Sequence, residues 1–341
     1  MVLLPSGSFQ STEWTNLLLS LTQSQVSSLW TLILQEISKR EGKGELAHLA
    51  INAGIPLSKS DDTVEEEGDG KENVMRTPSG LMMLHGDFGP ELSPTHDPTK
   101  EDFEEAFWVS TKQNGITQIW APRYTMFSRG NIKEKARLLD FHKQVKSDKA
   151  AVSKEVLHQS VAVDMYAGIG YFVFSYVAMG MSRVVGWELN PWSVEGLRRG
   201  AVANGWSVRV VRKGEKYIEG KERIVILQED NGLVEERMRD DATNRMLVGK
   251  VLHVNCGLLP TSLPVWKTSL GLLGSRGWLH LHENVGVNDI QDRSEEIASM
   301  FCEWEEMRSN SRLVEVEHVE RVKTFAPGVW HCVFDVFIHA F

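Results

Sequence analysis

Apolar and polar positions along this chain follow two different periods. Over residues 14–51 the period is helical. Trp14, Leu17, Leu18 and Leu21 form one apolar stripe, and Leu29, Leu32, Ile33 and Ile37 form another. That spacing predicts two core helices of a small N-terminal unit. Residues 81–90 are apolar and then broken by Gly86, Gly89 and Pro90, so His85 and Asp87 read as turn residues. A short helical piece follows at 103–108. Asn114-Gly115 is a hairpin turn signal ahead of a strand at 116–120. From 161 onward, short runs of β-formers at 161–163, 184–188, 209–211, 224–227, 251–254 and 278–282 are separated by longer, often helical stretches. Such alternation predicts a mostly parallel sheet, whose strands all end at one edge. The helix opened by Asn190-Pro191 carries Val194, Leu197, Ala201 and Val202 and stops near Asn204-Gly205; a later one spans 290–307. Runs at 313–322 and 330–338 flank Ala326-Pro327-Gly328 and predict an antiparallel hairpin at the sheet's edge. The division expected is 1–57 helical, 58–80 an acidic insertion, 81–150 a small α+β domain, and 151–341 the sheet domain.

The chemistry concentrates at the predicted strand ends. Residues 161–172 read VAVDMYAGIGYF: a strand, the acid Asp164, the turn Ala167-Gly168-Ile169-Gly170, then an apolar helix. Glycines there let a ligand approach the backbone, and the helix start offers free N–H donors. The dinucleotide fingerprint needs a third glycine at 173, where Val stands. An acid before A-G-x-G, with an aromatic after it, is instead the pattern of S-adenosylmethionine (SAM) enzymes. Glu188 ends the next strand, about 20 residues past the turn, where an acid suits ribose hydroxyls. Asp230-Asn231 ends another and could bond an adenine, although a plain Asx turn accounts for the same pair. The strand 278–282, WLHLH, places two histidines on one face; with no third ligand near in sequence, no metal is expected.

Composition narrows the classes. The chain has 341 residues with 42% hydrophobic and 24% charged content, ordinary for a globular protein. Three separated cysteines, Cys256, Cys302 and Cys332, give neither a zinc cluster nor a disulfide framework and suit a reducing compartment. No run reaches membrane-spanning length, and residues 1–10 lack a signal core, so a cytoplasmic protein is expected. The net charge of −9 argues against nucleic acid on average. Part of it comes from Asp61, Asp62, Glu65, Glu66, Glu67 and Asp69, in a stretch that reads as a solvated, mobile insertion. Between 121 and 150 the balance reverses, with eight cations (Arg123, Arg129, Lys133, Lys135, Arg137, Lys143, Lys146, Lys149) against Glu134, Asp140 and Asp148. This is either a solvated face or an electropositive wall for phosphates or a ligand carboxylate.

Six segments together carry a resemblance: 123–137 (RYTMFSRGNIKEKAR), 161–172, 183–190 (RVVGWELN), 255–262 (NCGLLPTS), 278–285 (WLHLHENV) and 323–331 (KTFAPGVWH). They resemble the tRNA wybutosine-synthesising protein 2 family, the tRNA(Phe) 4-demethylwyosine-C7 aminocarboxypropyltransferases, which are related to the tRNA guanine-N1 methyltransferases acting at position 37. The resemblance covers about 81–341. It implies an α/β, Rossmann-like SAM-dependent methyltransferase fold, with a mostly parallel seven-stranded sheet, an antiparallel C-terminal hairpin and a smaller N-terminal α+β region. It implies that SAM donates its 3-amino-3-carboxypropyl group to a ring carbon of a base beside the anticodon of tRNA(Phe). The enzyme would be a monomer without metal or membrane. By the same resemblance Ser128 and Lys135 touch the donor, Arg129 is the catalytic candidate, Glu188 holds ribose, and Asp230 and Asn231 hold adenine. Asp164, Ala167, Gly168 and Gly170 form the turn beneath, and Asn255 stands at the fourth strand end. A tRNA methyltransferase using the same donor, and a non-catalytic RNA-binding relative, are the alternatives.

Overall fold

The computed structural model describes residues 1–42, 44–52, 73, 75–78, 80–93, 96–143, 151–308 and 312–340. The acidic run 61–69 and Lys146, Asp148 and Lys149 lie outside them. The chain forms two compact units: residues 1–110 with 120–127, and residues 111–119 with 128–341.

In the first unit, strand β1 (Val2–Leu4) precedes helices α1 (Thr12–Ser20) and α2 (Gln23–Glu41). Thr22 and Gln25 close a reciprocal capping box at the start of α2, and Gly42 ends it in left-handed conformation. Strands β2 (Leu49–Ile51) and β3 (Met82–His85) complete a three-stranded sheet in the order β1-β2-β3. The helical period predicted as far as 51 therefore overruns into β2. The buried stripe of α2 also differs from expectation: Trp30 and Leu34 are its buried residues, and Leu32 is 62% exposed. Leu32 lies about 200° around the helix from Trp30, at 100° per residue. Helix α3 (Lys100–Glu105) follows; next in the chain are the hairpin strands β4 (Val109–Gln113) and β5 (Ile116–Trp120), whose residues 111–119 are counted with the second unit, turned by Asn114 and Gly115 at φ 50° and 80°.

The second unit is built around one large sheet. In chain order its elements are α4 (Ile132–Leu139), α5 (Lys154–Leu157), β6 (Val161–Asp164), α6 (Val173–Met179), β7 (Arg183–Trp187), α7 (Pro191–Ala203), β8 (Val208–Arg212) and β9 (Ile224–Gln228). Then come α8 (Val234–Arg237), α9 (Asp241–Leu247), β10 (Val251–Cys256), α10 (Trp266–Leu272), β11 (Arg276–Gly286), α11 (Ile290–Met307), β12 (Arg312–Ala326) and β13 (Val329–Ala340). The order is β12-β13-β11-β10-β6-β7-β9-β8. The pairs β8–β9, β9–β7, β7–β6, β6–β10 and β10–β11 are parallel, and β13 runs antiparallel to both β11 and β12. The sheet has eight strands rather than seven, because β8 adds an edge beyond β9. Successive side chains point to opposite faces, so each strand feeds two cores. Met165, Trp187, Leu227, Val254, Trp266 and Phe301 belong to one; Phe172, Phe174, Tyr176, Leu138, Trp278 and Phe337 belong to the other.

The second of these faces contains a buried polar chain. His142 Nε2 lies 2.8 Å from His253 Nε2, His253 Nδ1 lies 3.0 Å from His280 Nε2, and His280 Nδ1 lies 2.7 Å from Asp335 Oδ1. Arg137 terminates it, donating to Asp335 at 2.5 and 3.0 Å and to Glu134 at 2.7 and 2.8 Å. Burial opposes charge on Asp335, but Arg137 and His280 hold its carboxyl well below the usual range. One cation of the basic segment is thus spent inside the core, so that segment is only partly a surface wall. Replacing Arg137 by Ala leaves two buried carboxylates without their fork. We expect a loss of about 3–5 kcal/mol, measured as a shift in the midpoint of urea unfolding.

Candidate functional site

Strands β6, β7, β9 and β10 are parallel, so their carboxyl ends share one edge, the usual place for a ligand in such sheets. Asp164 ends β6 and is fully buried. Its Oδ1 accepts from Tyr166 N at 3.1 Å and from Asn255 Nδ2, on the neighbouring β10, at 3.1 Å. Its Oδ2 and Asn255 Oδ1 are buried and have no partner among the described residues. The turn that follows needs its glycines, since Gly168 and Gly170 sit at φ 53° and 90°. A Cβ on Gly170 would lie 2.6 Å from the Phe174 ring. Ala167 N donates to Trp187 O at 2.9 Å, which seats the turn on the end of β7.

Glu188 is the clasp of this turn. One of its oxygens accepts from Gly168 N and the other from Asn190 N, each at 2.8 Å. Burial pushes its carboxyl up. Burial, together with the charge of Glu188, raises Asp164 to about 7, although the bonds from Asn255 and Tyr166 act the other way. Asn231 Nδ2 donates to Met165 O at 2.8 Å and so reaches the same turn, while Asp230 is exposed and caps its own turn through Gly232 N at 2.7 Å.

The preceding segment comes to this edge through Tyr171. Ser128 N donates to the Tyr171 hydroxyl at 3.0 Å, and Lys323 Nζ donates to Ser128 Oγ at 3.4 Å. Arg129 is exposed at the start of a 3-10 turn. Lys135 is 4% exposed, with its Nζ 5.5 Å from the Tyr171 ring centroid. It donates to Gln113 Oε1 at 2.6 Å and Gln118 Oε1 at 2.9 Å, and desolvation lowers it to about 8. Lys135 is therefore a buried cation behind Tyr171, not a member of an open basic wall. Sequence reasoning missed Tyr171, Lys323 and His331. Tyr171 stood in the quoted glycine stretch, and the other two in KTFAPGVWH. Among the described residues no group of three or more His, Cys, Asp or Glu is placed to hold a metal, and no helix is long and apolar enough to cross a membrane.

No protein-family model matches the chain. It is 40% identical over 340 residues to the tRNA wybutosine-synthesizing protein 2 of Schizosaccharomyces pombe, covering 98% of this chain and 70% of that one. The chain belongs to the tRNA wybutosine-synthesizing protein 2 family. It is 33% identical to the Saccharomyces cerevisiae protein of that name, covering 85% of this chain and 60% of that one, so it falls short of the full length of both relatives. It is 28% identical to the tRNA(Phe) (4-demethylwyosine(37)-C(7)) aminocarboxypropyltransferase of Methanocaldococcus jannaschii, over 62% of this chain and 67% of that one. The crystal structure of M. jannaschii TYW2 in complex with AdoMet superposes with a TM-score of 0.52 at 20% identity, covering 77% of this chain and 92% of that one. The expected SAM-dependent methyltransferase fold is thereby established.

The raised acid at the turn has a consequence for stability. Folding favours protonated Asp164, so its contribution is complete below about pH 4, its ordinary value, and is lost as pH rises toward 7. We expect Asp164→Asn to flatten that decline. In thermal melts without donor, the variant should melt above the native chain at pH 8 and no higher than it at pH 4.

Proposed function

We propose that this chain transfers the 3-amino-3-carboxypropyl group of SAM to C7 of 4-demethylwyosine at position 37 of tRNA(Phe), in wybutosine biosynthesis. The observation that carries this reading is the pair of insufficiently compensated acids, Asp164 and Glu188, at the strand edge of a chain in this family. SAM carries a sulfonium and an ammonium beside its carboxylate, so it can bring positive charge and N–H donors to Asp164 and hydroxyl donors to Glu188. The residues fit it in another respect: Asp164 Oδ2 and Asn255 Oδ1 are buried acceptors that await a donor. Bound there, SAM supplies an electrophilic γ-carbon and leaves as methylthioadenosine.

The protein's part is orientation. Glu188 already accepts one backbone N–H at each oxygen, and its remaining lone pairs suit the two ribose hydroxyls. Asp230 and Asn231 take the adenine edge. Gly168 and Gly170, with Ala167, keep the turn thin enough for the adenosine to lie against it. Ser128 and Arg129 hold the carboxylate of the amino-acid tail. Lys135 acts behind them as a buried positive potential rather than as a direct clamp, because two glutamine oxygens occupy its donors. This division of labour turns the γ-carbon, not the methyl, toward the acceptor. The three cysteines are free, which suits a cytoplasmic setting, and the substrate region is the anticodon loop.

Two measurements test this. Incubation with SAM and tRNA carrying 4-demethylwyosine should give a nucleoside heavier by one aminocarboxypropyl group, with release of methylthioadenosine. A methylated nucleoside and S-adenosylhomocysteine would instead mean a methyltransferase. Lys135→Met should weaken SAM binding about 10-fold, or about 1.4 kcal/mol, in calorimetry. Its affinity for methylthioadenosine, which lacks the tail, should stay unchanged; equal losses would remove Lys135 from this role.

A further inference from the structure

The imidazoles on this face of the sheet fall into two sets. In the chain described above, His253 and His280 have both ring nitrogens engaged. They are satisfied core histidines. The second set, His282 and His331, is not. His282 Nδ1 and His331 Nε2 lie 2.9 Å apart, and both residues are 1% exposed. The outer nitrogens, His282 Nε2 and His331 Nδ1, have no partner among the described residues, and neither does either amide atom of the neighbouring Asn284. Four buried polar atoms without partners on three neighbouring residues are a costly arrangement for a core and a normal one beside a site that receives a polar ligand.

The pair borders the site already described. The His282 ring packs on Phe172, which closes the glycine turn, with ring centroids 5.0 Å apart. A Cβ on Gly257 would lie 2.8 Å from Asn255 Nδ2 and 3.6 Å from Phe172, so Asn255, Gly257, Phe172 and His282 line one corner. The loop after β10 is fastened over it: Ser262 Oγ donates to His282 O at 3.1 Å and Asn284 N to Pro260 O at 2.8 Å. On the outer side, His331 pairs across the hairpin with Lys323, the residue that reaches Ser128.

Transfer to a ring carbon that bears hydrogen requires a proton to leave. The new carbon–carbon bond takes a π pair of the base, the γ-carbon–sulfur bond breaks, and its pair stays on sulfur. The base is then cationic, and it regains aromaticity only when the C–H pair returns to the ring. We propose that His282 Nε2 accepts that proton and that His331 relays it outward, Nδ1–H of His282 passing to His331 Nε2 as the His331 Nδ1 proton passes to solvent water. This rests on the proposed function. Burial keeps both rings neutral, His282 well below the usual range and His331 at about 4, so each is ready to receive a proton. A cationic ring is acidic enough to give its proton to so weak a base. The other charged or titratable groups acting on the pair are His280 on β11, Asp335 on β13, Arg137 on α4 and Lys323 on β12.

The test uses the full chain with tRNA carrying 4-demethylwyosine, either protiated or deuterated at C7. His282→Asn keeps a polar group opposite His331 but removes Nε2. We expect kcat to fall about 100-fold, with the Kd for SAM in calorimetry and the melting temperature unchanged. A primary C7 isotope effect should appear that the native chain lacks, because proton loss has become slow. His331→Gln keeps the partner of His282 and removes the exit, so it should show a smaller loss with the same isotope signature; it decides the matter if His282→Asn does not fold. Native kcat in the variants, or a loss of kcat without the isotope effect, overturns the relay while leaving the transferase reading intact. A native chain that binds SAM and yields no aminocarboxypropyl product overturns both.

Discussion

Asp164 closes β6 and Glu188 follows β7, and because these strands are parallel neighbours both acids arrive at one edge of the sheet. Both are short of water, and two effects raise the cost of ionising Asp164: burial by removing solvent, and Glu188 by its charge. The structure offsets this only with dipoles. Asn255 and the Tyr166 amide serve Asp164; the Gly168 and Asn190 amides serve Glu188. Local dipoles orient the two carboxylates without neutralising them. Two raised acids at one edge favour a cation over an anion there.

The geometry of that edge depends on register. Asp164 stands opposite Gly186 on one side and Asn255 on the other, and Asn255 stands opposite His280. A Cβ at Gly186 would lie 2.8 Å from Ala167, so β7 admits the turn only because that position has no side chain. The same ladder that brings the two acids together also brings β11 beside β10, and with it the histidine face. A one-residue slip of β6, β10 or β11 would turn Asp164, Asn255 or His282, respectively, to the opposite face.

Much of this was legible in the sequence because its signals are local. Strand followed by acid and glycine turn is a contiguous pattern, and the helix 290–307 matches α11 from Ile290 to Met307. What was not legible is carried by pairs far apart in the chain. Arg137 looks like one more cation in a basic run until Asp335, 198 residues later, arrives beside it. His282 and His331 are 49 residues apart, and no spacing rule connects them. Lys135 was expected as a direct ligand from its place in a motif; its burial follows from Gln113 and Gln118, at the tip of a hairpin whose docking the local sequence does not encode. Strand β11 runs on to Gly286, past its predicted end, because β13 offers a partner all the way to Val329.

The two sets of histidines also divide the cost of a polar interior. Arg137, Asp335, His280, His253 and His142 form a closed series in which almost every polar atom is used, and such a series fixes the positions of α4, β10, β11 and β13 with little freedom. On the same strand, β11 carries His282, with Nε2 open, two residues beyond His280, whose ring nitrogens are both engaged. A carbon nucleophile needs no base to begin its attack. The group that takes its proton therefore acts after the bond has formed, on the hydrogen of the same ring carbon; it has to border the acceptor's corner and stay neutral. A buried imidazole backed by a second one meets both conditions, and its ring packs on Phe172 in the corner lined by Asn255 and Gly257.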